Sequence, residues 1–230
     1  MAQNTVYKWP VQNTQAVCKT QDANAGEELI LDGTMAEIGS AEISFIRAGF
    51  SRSVSIHSAE DLSGVNFTVT GMQNGGRVTQ EFVGPNNATV WSDEVFDTIT
   101  SVSVDGNVTN VQVGTGKTGF LPLISVDPNS SRVNIRNTNG LLSFSVRPFS
   151  TDENQASGIT YQVIHSLDNV RDNKMSFLEQ KRLKHFFDLF IDATDVEYFV
   201  GSILTNYLLV QITASINPTT DSLDFIYMQS

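Results

Sequence analysis

The chain has 230 residues, of which 17% are charged against a usual ~25%, and its formal net charge is −11. With only 14 Lys and Arg it has too little clustered positive charge to neutralise phosphates, so no direct nucleic-acid partner is expected. A single cysteine, Cys18, excludes an intramolecular disulfide and a cysteine-based metal site; with no apolar run of membrane-spanning or leader length, we expect a soluble protein made in a reducing cytoplasm, Cys18 being inert packing.

In chain order, residues 1–25 begin MAQNTVYKWPVQN and are rich in Gln and Asn around a short apolar cluster, Val6, Tyr7, Trp9, Pro10 and Val11. No periodic partner lies nearby, so the segment is expected to be an N-terminal arm that orders by docking Tyr7 and Trp9 on a neighbouring subunit. From residue 26 the dominant period is two. GEELILDG (26–33), AEISFIRAG (41–49) and RSVSIHS (52–58) read as strands. SGVNFTVTG and GRVTQEFVG flank the turn letters Asn74, Gly75 and Gly76 and predict a hairpin; Asp105 and Gly106 predict another between strands near 99–104 and 107–113. Six or seven short strands at this spacing describe a first β-sandwich domain over 26–122.

The stretch VQVGTGKTGFLPL (111–123) ends a nucleotide-binding phosphate loop in its letters GKT. The loop also requires a glycine where Val111 stands and a helix after Thr118, where Gly119 and Pro122 follow. A glycine-bearing β-connection accounts for the letters, and no cofactor is expected.

Past Pro122 and Pro128 the alternation resumes in SRVNIRN, LLSFSVRPF, GITYQVIHS, YLLVQITAS and SLDFIYMQ, giving a second β-sandwich domain over 123–230. Its insertion, 171–192, breaks the rhythm. SFLEQKRLKHFFDLFID (176–192) lacks Gly and Pro, and Ser176 with Glu179 forms a capping-box pattern, predicting a helix. Arg171, Lys174, Lys181, Arg182 and Lys184 gather five of the 14 basic residues here, either as a solvated face or as a contact with an acidic neighbour such as another copy of the chain. The expected fold class is therefore mainly β, with two antiparallel β-sandwich or jelly-roll-like domains and one short helical or irregular insertion near 176–191.

Catalytic patterns are missing. His57, His165 and His185 are scattered, and neither a GxSxG elbow nor an HExxH pair occurs. Neighbours on an extended strand face opposite ways, so His165, Ser166 and Asp168 are read as structural. Asp105–Asn107 and Asp127–Asn129 lack the carboxylates of a calcium loop and read as turns, and the sequons at Asn66, Asn87, Asn107 and Asn129 carry no weight without a secretion signal. No enzyme is expected.

Residues 47–106, RAGFSRSVSIHSAEDLSGVNFTVTGMQNGGRVTQEFVGPNNATVWSDEVFDTITSVSVDG, resemble a module of tailed-bacteriophage virion structural proteins. ITYQVIHSLDNV (159–170) and the terminal LVQITASINPTTDSLDFIYMQS resemble that family's later strands; Gln80 and the basic segment 171–192 depart from it. The resemblance implies a non-enzymatic part, made in the bacterial host and located in the virion, either a capsid decoration protein or a head-to-tail or tail component. It implies symmetric self-association and contact with other virion proteins such as the major capsid, portal or tail proteins. A host-surface or carbohydrate-recognition module of the virion is the alternative. The candidate interface residues are Tyr7, Trp9, Arg171, Lys174, Lys181, Arg182 and Lys184.

Overall fold

The computed structural model describes residues 3–121, 124–125, 142–166, 186–201 and 207–229. It is mainly β: among the described residues there are strands, one 3-10 turn at Ile46–Ala48 and no α-helix, and every registered strand pair is antiparallel. Two compact units form, one from residues 12–119, the other from residues 3–11 with the described part of 120–229. The chain starts in the unit in which it ends.

Strand β1 (Gln3–Trp9) belongs to that second unit. The first unit holds β2 (Cys18–Ala23), β3 (Ile43–Ser44), β4 (Ser51–Asp61), β5 (Asn66–Gln73), β6 (Gly76–Val83), β7 (Asn86–Phe96), β8 (Thr98–Val104) and β9 (Val108–Phe120). One sheet runs β2-β9-β4-β7 and the other β3-β8-β5-β6. Alternation puts Phe67 and Val69 of β5 and Val102 and Val104 of β8 on the buried side with Phe45 and Phe96, and a bulge at Thr100 lets Ile99 be buried as well. Each such side chain contributes roughly 1.5–3 kcal/mol by leaving water.

The β5–β6 hairpin forms as its letters predict: Asn74 and Gly75 both have positive φ, 48° and 78°, the two consecutive left-handed residues of a tight turn whose twist suits the strands. The second predicted hairpin does not form. β8 pairs with β5, whereas β9 lies in the other sheet, so Asp105 and Gly106 carry the chain between sheets. Gly106 is needed for close approach instead: a Cβ there would sit 2.8 Å from the Val65 side chain. Residues 26–33 are also no strand. They meet β8 through the isolated bridge Glu28↔Ser103 and through backbone hydrogen bonds of Gly26, Glu27 and Leu29 with Val104 and Val102.

The second unit adds β10 (Ile124–Ser125), β11 (Leu142–Ser150), β12 (Ile159–Ser166), β13 (Phe186–Ala193), β14 (Glu197–Gly201), β15 (Tyr207–Ser215) and β16 (Asp221–Gln229). Its sheets run β1-β16-β11-β14 and β13-β12-β15, with β10 paired to β15. Pro148 is tolerated in β11 because it lies beyond Val146, the last residue that β14 pairs, where β11 has β16 as its registered neighbour. The helix predicted over 176–192 is corrected where the structure describes it: 186–192 is strand, with Phe186 opposite Ser166 and Phe190 opposite Val163. Phenylalanine suits a pleated, half-buried surface, and the Phe190 ring meets Phe144 edge-on at 6.0 Å.

The N-terminal arm is corrected too. Gln3 to Trp9 pair residue for residue with Gln229 to Leu223 of β16, and residues 18–23 form β2.

Candidate functional site

The GKT letters lie inside β9. The Gly116 carbonyl accepts a 2.6 Å hydrogen bond from Nε of Arg52, and Ser53 Oγ lies 3.1 Å from the Thr118 N–H, which donates to it, and 3.0 Å from Thr118 Oγ1. Lys117 Nζ sits 4.4 Å from the centroid of the Trp91 ring. A strand offers alternating rather than convergent N–H groups, so this backbone does not cradle phosphates. Gly114 and Gly116 serve close packing rather than backbone freedom: added Cβ atoms would lie 2.1 Å from the Asn13 carbonyl oxygen and 2.2 Å from Ser53 Oγ. Arg52 is fully buried, and burial lowers its guanidinium to about 9, which leaves it charged at neutral pH.

Three hydrogen-bonded carboxylates act as staples. Asp97 accepts from the Ser51 hydroxyl and the Asn74 N–H, tying β4 and the β5–β6 turn to the β7–β8 corner; burial raises its pKa, and those two hydrogen bonds oppose the rise. Asp105 accepts from the backbone and side-chain N–H groups of Asn66 at 2.7 and 2.8 Å, which lowers its pKa. Asp221, itself buried, accepts from the Gly158 N–H at 2.9 Å, the Ser215 hydroxyl at 2.8 Å and the Asn217 N–H at 2.9 Å, and so closes the turn between β15 and β16.

Cys18 and His57 are likewise engaged in structure. Burial, with Asp32 adding to it, pushes the Cys18 thiol far above its usual range, away from the reactive thiolate. His57 Nδ1 lies 3.0 Å from Thr89 Oγ1. Among the described residues no three His, Cys, Asp or Glu side chains gather as a metal site, and no helix is long and apolar enough to cross a membrane.

Of the predicted interface residues, Trp9 is corrected outright. Its side chain is fully buried, and its carbonyl accepts a 2.6 Å hydrogen bond from the Ser222 hydroxyl. Tyr7 is half-buried, its ring 6.3 Å from that of Phe225. Both point into the core because β1 alternates Tyr7 and Trp9 inward against Val6 and Lys8 outward. Arg171, Lys174, Lys181, Arg182 and Lys184 lie outside the described residues, as do Asp168 and His185.

Other apolar side chains stand in water. Tyr198 is 72% exposed and Val6 49% in the second unit; in the first, Ile30 is 70% exposed and Ile38 fully so. Sequence reasoning missed all four because a strand or loop letter does not say which face a neighbour covers. No protein-family model matches the chain, and no curated protein matches it significantly.

Proposed function

We propose that this chain is a non-enzymatic structural protein of a tailed-bacteriophage virion, packing in symmetric copies as a capsid decoration protein or a head-to-tail or tail component. The observation that carries this reading is the contrast between its interior and its surface. The buried polar clusters described above are committed to turns and strand junctions, whereas Tyr198, Val6, Ile30 and Ile38 remain in water as contact material. The resemblance of 47–106 and of the two terminal strands to virion proteins supplies the setting.

Carbohydrate recognition by the virion has less support, because the partly exposed tryptophan, Trp91, already carries Lys117 over its ring. Quantitative mass spectrometry of gradient-purified particles from a host carrying the gene tests the proposal. Tryptic peptides of this chain at a fixed ratio to the major capsid protein are expected; their absence from particles contradicts it.

A further inference from the structure

The outer face of the sheet β1-β16-β11-β14 has an ordered surface with no covering element among the described residues. Cross-strand register places Val6, Ile226, Ser145 and Tyr198 in one row across all four strands. Two residues further along, Lys8, Asp224 and Arg147 form a second row. These side chains alternate with Trp9, Leu223, Phe225 and Val146, which are buried, so both rows face away from the core. Lys8 and Arg147 are exposed and have no ion-pair partner among the described residues, and Asp224 Oδ1 is screened from water without a hydrogen-bond partner there. The face thus combines an apolar ridge with a row of net positive charge, in which Lys8 and Arg147 flank Asp224.

The first unit carries the opposite combination. Across it Asp and Glu outnumber Lys and Arg by more than two to one, and residues 24–45 contain no Lys or Arg at all. That stretch holds Glu27, Glu28, Asp32, Glu37 and Glu42 around the exposed Ile30 and Ile38. Asp32 and Glu37 are engaged by Lys19 and Arg47, and Glu27 by Asn24, which leaves Glu28 exposed and Glu42 half-exposed.

We propose that the outer sheet face of one copy docks on residues 28–42 of a second copy, Tyr198, Val6 and Ile226 covering Ile30 and Ile38 while Lys8 and Arg147 face Glu28 and Glu42. The proposal rests on the multi-copy reading above. Packing the face against itself would bring two rows of net positive charge together, whereas the head-to-tail contact sets that row against an acidic stretch and matches apolar character as well. A contact between two different patches propagates from copy to copy and closes a ring where the rotation allows.

Sedimentation velocity on the full chain tests it, with circular dichroism as the check on folding. Wild type is expected to associate at low salt and to weaken as salt rises. Lys8→Glu with Arg147→Glu, and Glu28→Lys with Glu42→Lys, should each weaken self-association roughly tenfold or more, since like charges then meet. Mixing the two variants should restore association, because each meets its complement on the other.

Three results overturn the interface: a wild type that stays monomeric throughout, a Glu28→Lys, Glu42→Lys variant that associates like wild type, as face-to-face packing requires, or a mixture that stays apart. Should a double variant lose its β spectrum, Tyr198→Ser and Ile30→Ser take its place, with the same roughly tenfold loss expected and wild-type association overturning the contact. Particle composition reports separately on the proposed function. A chain found in particles with unaffected variants keeps that reading and removes this interface, and the predicted association in a chain absent from particles does the reverse.

Discussion

Lys117 Nζ stands 4.4 Å from the centre of the Trp91 ring, joining β9 to β7 across β4. The lysine of a phosphate-loop lookalike is thereby spent on a cation–π contact, worth about 0.5–1 kcal/mol at a partly exposed site. Lys117→Ala should lower stability by about that much and change Trp91 fluorescence, and ATP or GTP should leave the melting temperature of wild type unchanged. Stabilisation by nucleotide that vanishes in Lys117→Ala would contradict the β-strand account of these residues.

Trp9 offers a larger effect. Its ring is fully buried, so Trp9→Ala should destabilise the second unit by about 3–5 kcal/mol. Deleting residues 1–9 should go further and unfold that unit, because it removes Trp9 and one of the two partners of β16, along seven registered pairs, leaving β16 a bare edge beside β11. Thermal unfolding followed by hydrogen exchange of β16 reads this out. A truncated chain with wild-type protection in β16 would restore the idea of a detachable arm.

Asp97 sets a pH dependence. Its carboxyl titrates above the ordinary value, chiefly through burial, so between the unfolded and folded pKa values the folded protein holds a proton that the unfolded chain has released. Its contribution to stability therefore falls as pH rises through that window. Asp97→Asn should flatten this slope in denaturation curves collected across mildly acidic pH; an unchanged slope would show that Asp97 is not its source.

Asp221 is the acceptor for three groups, two backbone N–H and one hydroxyl. Asp221→Ala strands each of them, at about 1–3 kcal/mol for every donor left buried and unpaired. Asp221→Asn keeps an acceptor oxygen and should recover part of the loss in chemical denaturation. Equal stability of the two variants would contradict the staple role.

These residues also show what the sequence revealed. The β class and the β5–β6 hairpin were legible because period-two alternation and the Asn74-Gly75 turn are local signals. The role of β1 was not. Its inward Tyr7 and Trp9 alternate with Val6 and Lys8 as a strand should, but its partner β16 lies more than 200 residues away, and local pattern carries no information about such pairing. Asp105-Gly106 carried hairpin letters yet joins two sheets, since the pairing of β8 with β5 overrides local turn preference. Segment 186–192 shows the same override, with β12 pairing winning over helix propensity. The row Val6–Ile226–Ser145–Tyr198 exists only once the register of four strands is known.

The most direct test of the central claim is an electron cryo-microscopy map of particles from a host carrying the gene. The account predicts repeated density, at a symmetric site on the capsid, neck or tail, into which the two β-units fit in many copies. Particles that are complete and infectious, with every symmetric density assigned to other chains, would contradict it.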